Sequence, residues 1–242
     1  NIVPVHDVGL TEGGDYFFVM RFVSGVTLRE VIDGLTEGNP LFCERFSIAE
    51  RLRVFRDIAV AVAFAHAEGT LHQDLKPENL MVGDHGEVFV MDWGLADYLS
   101  ESDSDTLRKR LARQPTAPEA SMQLKNDRAS LGVTSGKTKT IQGTPLYMSP
   151  EQTRGDSGMA GEIYTLCVIL HELLGLNHYL SHRSGLKAIL RGVRSDPVPS
   201  LFASKRSNTN KAIPIEWSHF IAKGISKRPS ERFETVHDLV EA

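Results

Sequence analysis

Apolar residues recur at helical spacing at Ile48, Leu52, Phe55, Ala59, Val62 and Ala63, while Arg51, Arg53, Arg56 and Asp57 take the opposite face. That period predicts an amphipathic helix, opened by the capping box Ser47-Ile48-Ala49-Glu50 and closed near Gly69. From Glu162 through Leu174 the chain is apolar nearly all round, which predicts a helix buried on every side. Shorter apolar runs read as strands. Val3 to Val8 and Tyr16 to Val23 are joined across the Gly-rich turn Thr11-Glu12-Gly13-Gly14-Asp15, and Leu80-Met81-Val82 pairs with Val88 to Met91 around Gly83-Asp84-His85-Gly86. A second capping box, Thr27 to Glu30, opens a short helix, after which Gly34, Gly38 and Pro40 break the chain. Further helices are predicted at Gly185 to Gly192, Ile215 to Ser226 and Val236 to the end, the last opened by Thr235 and Asp238. Helices and locally paired strands together predict an α+β fold.

Composition narrows the class. With 242 residues, 41% of them hydrophobic, the chain suits one globular unit, and it holds no internal repeat. Its 27 basic and 31 acidic residues leave a net charge of −4, a balance that does not suggest nucleic acid as a partner. Cys43 and Cys167 are the two cysteines, and Cys167 sits inside an apolar run, so a reducing compartment fits better than a disulfide framework. The longest apolar stretch, Ile163 to Leu174, is interrupted by His171 and Glu172 and is too short to span a bilayer. Neither a transmembrane segment nor a signal peptide is expected. Residues 101–139, rich in Ser, Thr, Lys, Arg and Asp, read as a mobile insertion containing the basic run Arg108-Lys109-Arg110 and Pro115 and Pro118. That run reads first as a solvated face and second as a means of autoinhibition or a dock for an acidic partner.

The chemistry concentrates in His72-Gln73-Asp74-Leu75-Lys76-Pro77-Glu78-Asn79, followed after the second hairpin by Asp92-Trp93-Gly94. A hydroxyl attacking a phosphoryl group needs a carboxylate to take its proton and cations to neutralise the transferring charge. Asp74 can be the base and Lys76 the fixed cation. Asn79 and Asp92 offer the hard oxygens that magnesium prefers, and a hairpin between them returns the chain so that the two converge.

These segments resemble motifs of the eukaryotic-type protein kinases, specifically the serine/threonine kinases of bacteria. His72 to Asn79 resembles the catalytic loop, Asp92-Trp93-Gly94 the DFG motif, and Ser149-Pro150-Glu151 after Gly143-Thr144-Pro145 the APE segment. The resemblance implies a protein-kinase-like fold over residues 1–242, with residues 1–23 a remnant of the β small lobe and hinge. Residues 24–242 would form the mainly helical large lobe, its activation segment running from Asp92 to Glu151 with the insertion at about 101–139. It implies ATP and Mg²⁺ as cofactors, a protein substrate with a Ser or Thr acceptor, and a cytoplasmic domain, on its own or within a longer membrane-tethered protein. Met20 would be the gatekeeper, and the backbone of Arg21 and Val23 would bond the adenine, with Met81 also in the nucleotide site. Asp74, Lys76 and Asn79 would be the catalytic set, with Lys76 also on the nucleotide and Asn79 and Asp92 on the metal. Lys76 and Thr144 match the serine/threonine pattern rather than the tyrosine one, and Arg232 would pair with Glu151. Thr134, Ser135, Thr138 and Thr140 are candidate phosphate acceptors.

Several positions depart from the family pattern. The resemblance begins partway through the small lobe, without the Gly-rich loop, the strand lysine and the helix glutamate that pairs with it. A fragment of an intact kinase is the expectation; the alternative is a catalytically inactive pseudokinase serving as a binding or scaffold module. A small-molecule phosphotransferase is a third reading, opposed by the peptide-platform segment Gly143 to Glu151. Gln73 replaces an arginine that clamps a phosphorylated activation loop in many members, and Trp93 replaces a phenylalanine, bringing an N–H that needs a partner beside His72. Glu162 replaces an aspartate that anchors the catalytic-loop backbone, and His66 reads as structural.

Overall fold

A computed structural model describes residues 2–3, 5–13, 15–100, 102–105, 143–201 and 213–242. The basic run Arg108-Lys109-Arg110, Pro115, Pro118 and the hydroxyls of Thr134, Ser135, Thr138 and Thr140 lie outside the described residues.

The first hairpin consists of β1 (Val5–Leu10) and β2 (Tyr16–Met20), antiparallel with Gly9 opposite Phe17. Thr11 closes its turn, donating its N–H to Asp15 O (2.8 Å) and accepting Asp15 N–H on its hydroxyl (3.1 Å). The first strand lies two residues later than its apolar run suggested. The second stops at Met20 rather than Val23, because β1 is spent as a partner once Val5 has paired with Met20. Residues 21–24 form the link to the next strand.

That link enters β3 (Gly25–Thr27), a strand the apolar pattern is too short to announce. β3 runs directly into α1 (Leu28–Thr36), where Thr27 and Glu30 close the predicted capping box: Thr27 N–H donates to Glu30 Oε2 (2.7 Å) and Glu30 N–H to Thr27 Oγ1 (3.2 Å). Pro40 opens a helix instead of breaking one. α2 (Pro40–Arg45) places it in the first turn, where a missing N–H costs nothing, and Asn39 Oδ1 caps the turn by accepting Leu41 N–H (3.0 Å).

α3 (Ile48–Ala67) is the predicted amphipathic helix, with two corrections. The capping box at Ser47 is only half made: Ser47 Oγ accepts Glu50 N–H (3.3 Å), but the Glu50 carboxylate turns to Arg53 (2.6–3.1 Å). Arg51, expected on the polar face, is buried because its Nε donates to Phe46 O (2.9 Å) where the chain enters the helix.

After α3 the chain makes β4 (Thr70–Leu71), the functional loop, β5 (Leu80–Gly83) and β6 (Val88–Val90), then β7 (Asp97–Tyr98). β5 is the middle strand of an antiparallel sheet ordered β3-β5-β6, and β7 pairs antiparallel with β4. The loop between β4 and β5 is therefore pinned on both sides, by β7 at its start and β6 at its end.

α4 (Met159–Gly175) is the predicted buried helix, with every residue from Gly161 to Gly175 buried. Its Ile163, Leu166, Ile169, Leu170 and Leu173 have no exposed surface, and they pack with Ile58, Val62, Val90 and Ile221 in one core. α5 (Leu186–Ser195), α6 (Ile215–Gly224) and α7 (Val236–Glu241) follow, close to the predicted positions. α3 packs against α4, α7 and β6, and α6 packs against α4. The helical layer thus forms a rigid floor beneath the loop that carries Asp74, Lys76 and Asn79.

Candidate active site

Asp74 is the hub of the loop and is almost fully buried. Its Oδ1 accepts the Thr144 N–H (2.9 Å) and the Thr144 hydroxyl (2.8 Å), and its Oδ2 accepts Lys76 Nζ (2.5 Å). Lys76 also donates to Thr144 Oγ1 (3.2 Å), so the hydroxyl accepts from the ammonium and gives its own proton to the carboxylate. Asn79 Nδ2 donates to the Asp74 carbonyl (2.9 Å) and lies 3.4 Å from Oδ2. Three residue types drawn together by sequence reasoning therefore share one network. Thr144, read from sequence only as a mark of substrate class, proves to be its bridge.

Gly143 makes this closure possible. At φ 101 its backbone comes so near Gln73 that a Cβ would sit 2.8 Å from the Gln73 carbonyl. Gln73 itself is held at φ 69, a left-handed conformation unusual for a long side chain. Its N–H donates to Glu162 Oε1 (2.6 Å), and Glu162 Oε2 takes His66 Nε2 (2.7 Å). Glu162 and His66 are both buried, so α3 and α4 jointly fix the start of the loop. Burial pushes the Glu162 carboxyl up, but the hydrogen bond and charge of His66 and the Gln73 N–H outweigh it and leave the group below its ordinary range. A depressed carboxyl stabilises the fold fully above its ordinary value near 4.5, and that stabilisation is lost as pH falls through the lowered one. Glu162→Gln is therefore expected to lower stability at neutral pH and to flatten its decline under acid. Urea unfolding from pH 3 to 7 checks this, and parallel curves for the two proteins would contradict it.

The aromatic neighbours behave as the residue types demand. Trp93 Nε1 finds its partner in Val90 O (3.2 Å), and its ring stands 4.6 Å from that of His72. His72 Nδ1 receives the Asp74 N–H (3.3 Å) while Nε2 faces Met91 O (2.8 Å). A carbonyl can only accept, so the tautomer carries its proton on Nε2.

Asp92 enters at φ 59 and its carboxylate is exposed. Met91 N–H donates to the Asn79 carbonyl (2.9 Å), which brings Asp92 one residue past a direct link to Asn79. With Asn79 Nδ2 committed to Asp74, its Oδ1 is the group left for a cation, and Asp92 adds a carboxylate. Two hard-oxygen ligands of this kind could hold a divalent cation that takes its remaining ligands from phosphate and water. No cluster of three or more His, Cys, Asp or Glu side chains able to hold a metal exists among the described residues.

Met20 closes β2 with its side chain about half exposed, and Arg21 and Val23 follow in the link to β3. Arg21 lies over the Phe89 ring (5.8 Å), and Phe89 is the β-ladder partner of Met81. Arg21 and Met81 are thus brought to the same strand, β6, through Phe89.

Two further contacts join distant parts. Arg232 donates to Glu151 Oε1 (2.5 Å) and Oε2 (3.0 Å), the pairing expected from the motifs. Arg29 donates to Glu172 (2.7 Å) and to Tyr147 (2.8 Å), lies 3.4 Å from Glu78, and Tyr147 also donates to Glu172 (2.7 Å). This knot ties α1, the functional loop and α4 together. Its members lie up to 143 positions apart, so no local signal announces it.

The protein kinase domain family model matches residues 1–242. The chain belongs to the protein kinase family. It is 32% identical to serine/threonine-protein kinase PknD of Protochlamydia amoebophila over 248 residues, covering 99% of this chain and 23% of that protein. It is 29% identical to PknD of Chlamydia caviae, covering 98% of this chain and 24% of the relative. With PknB of Mycobacterium tuberculosis the identity is 29%, covering 98% of this chain and 32% of the relative. The chain thus spans about a quarter to a third of the curated relatives it matches. Protein kinases use ATP and a divalent metal, and both fit the network around Asp74 and the donor pair Asn79 and Asp92.

Proposed function

We propose that this kinase domain transfers the γ-phosphoryl group of ATP to serine or threonine hydroxyls of a protein substrate. The observation that carries the reading is the closed Asp74–Lys76–Thr144 network, which sets a carboxylate beside an ammonium under a segment of the peptide-platform type. In this reading Asp74 accepts the proton of the attacking hydroxyl, whose oxygen bonds to the γ-phosphorus as the bond to the ADP oxygen breaks. Lys76 neutralises charge on the transferring group. Asn79 and Asp92 hold Mg²⁺, which supplies charge neutralisation across the phosphates when bound. Met20, Arg21, Val23 and Met81 line the adenine side, with backbone groups of Arg21 and Val23 bonding the base. Residues 1–23 act as small-lobe strand pair and hinge and residues 24–242 as the large lobe, with a cytoplasmic location; no described helix is long and apolar enough to cross a membrane.

The metal assignment has a direct test. In the full-length protein, Asp92→Ala is expected to cut turnover by at least about a hundredfold, the scale of losing a preorganised electrostatic group, with an unchanged unfolding midpoint. Turnover that titrates with Mg²⁺ as in the parent protein would refute the role of Asp92.

Gln73 bears on regulation. Its side-chain amide lies between Asp97 (3.4 Å) and Ser157 (3.3 Å), so the place where many relatives carry an arginine holds an amide beside a carboxylate. An amide lacks the charge-assisted fork that binds phosphate, and Asp97 repels one. Phosphatase treatment of the full-length protein should leave its turnover within about twofold, a change smaller than the worth of one charge-assisted hydrogen bond. Loss of activity on dephosphorylation, restored by an acidic replacement of Thr138 or Thr140, would overturn this reading.

A further inference from the structure

α5 presents a stripe of positive charge to solvent. Lys187, Arg191 and Arg194 are all exposed, and their i, i+4, i+7 spacing puts them on one face, opposite the buried Gly192 and Val193. The helix itself holds no Asp or Glu. Asp196, just past its end, is taken by Arg183 through two hydrogen bonds of 2.9 Å, with His182 at 3.5 Å. Among the described residues none of the three cations is paired with a carboxylate. Leu186 stands beside them, 58% exposed.

The position of α5 relates the stripe to the substrate side of the domain. α5 packs against residues 152–154, which continue directly from the Ser149–Glu151 end of the peptide-platform segment, and Arg154 there is exposed as well. A protein chain leaving the platform on that side meets α5 next. Charge selects the kind of partner. The chain as a whole carries −4, which disfavours a broad anionic surface such as a bilayer or a nucleic-acid duplex. A short segment senses only the charges within about 8 Å, the screening length at physiological salt. From Lys187 to Arg194 the stripe runs about 10 Å, the reach of three or four extended residues.

We propose that the exposed face of α5 docks a short acidic segment of the protein substrate, outside the site of phosphoryl transfer. This role rests on the reading of the domain as a kinase of protein substrates, and separate measurements of binding and turnover keep the two apart. Dephosphorylated casein serves as the acidic acceptor and myelin basic protein as the cationic one. In the full-length protein, Lys187→Glu with Arg191→Glu removes two attractions and adds two repulsions. It should weaken binding of fluorescein-labelled casein, read by anisotropy without ATP, and raise the casein KM, each by about tenfold. The kcat and the KM for ATP should stay within about twofold of the parent, because neither residue touches the phosphoryl-transfer network. With myelin basic protein the KM should not rise. Added salt should weaken casein binding by the parent and leave the variant nearly unchanged. Absence of casein binding by the parent, equal casein affinity in parent and variant, or an equal rise in KM for both acceptors would each overturn the docking role. Phosphatidylserine vesicles bound by the parent alone, with casein held equally by both proteins, would make the face a membrane contact and overturn it too. Casein bound through α5 with no phosphate transferred would uphold the acidic docking face and refute the phosphoryl-transfer reading instead.

Discussion

Asp74→Asn in the full-length protein is expected to lower kcat by about 10²–10⁴-fold, the range for loss of a general base. The carboxylate receives donors from Thr144, Lys76 and Asn79, all aimed at oxygens that carry the charge. An asparagine keeps the shape and one accepting oxygen but turns an NH₂ toward a donor. In the proposed mechanism the substitution therefore removes the proton acceptor and loosens Lys76 and Thr144 together. Because the loop backbone is also held by Glu162 on Gln73 N–H and by Asn79 on the Asp74 carbonyl, the nucleotide KM should move far less than kcat. Steady-state kinetics with ATP varied separates the two parameters. A variant that keeps kcat within twofold would remove Asp74 from the chemistry, whereas a large rise in KM with kcat intact would make the residue a binding group.

The largest stability effect is expected at Arg232. Its side chain is fully buried, and it donates to both oxygens of Glu151, to Ser226 O (2.8 Å) and to Ala160 O (2.6 Å), with the guanidinium 5.0 Å from the centre of the Tyr164 ring. Arg232→Ala strands the mostly buried Glu151 carboxylate and two carbonyls, a loss of roughly 3–5 kcal/mol. The cost lies mainly in the abandoned charge, so removing both partners should be milder. The double replacement Arg232→Met with Glu151→Leu is expected to recover at least half of the loss, since apolar groups fill the volume without an unpaired ion. Urea midpoints for the two variants and the parent decide the matter. A single substitution costing less than about 1 kcal/mol, the value typical of an exposed ion pair, would show that the pair is solvated and does not fasten the Ser149–Glu151 segment to the helical layer.

The features legible in the sequence were those written in contiguous residues. The Thr27 and Thr235 capping boxes form as their spacing implies, the all-apolar run becomes the buried α4, and the Arg232–Glu151 pair follows from the motifs. What escaped depends on partners far away in the chain. β3 gains its identity only from pairing with β5, and β4 only from β7, because strands of two or three residues carry too little periodicity to be seen. Arg51 alternates like a surface arginine yet is buried, since the Phe46 carbonyl at the helix entrance takes its Nε. The Glu162–His66 pair is similar: the motifs gave Glu162 its anchor on the catalytic loop and His66 read as structural, but only the crossing of α3 and α4 puts the two 2.7 Å apart. Within the site, residue types and order were enough to gather Asp74, Lys76 and Asn79, while the bridging hydroxyl of Thr144 required the return of a segment 70 positions away.

Transfer of a phosphoryl group to serine or threonine is decided by the chemical identity of the product. The full-length protein would be incubated with Mg²⁺, ATP labelled at the γ-phosphate and casein as a generic acceptor, and the protein then hydrolysed to its phosphoamino acids. Label is expected on phosphoserine and phosphothreonine, with none on phosphotyrosine and none in the Asp74→Asn protein. Label on tyrosine, ADP release without labelled protein, or equal labelling by Asp74→Asn would contradict it.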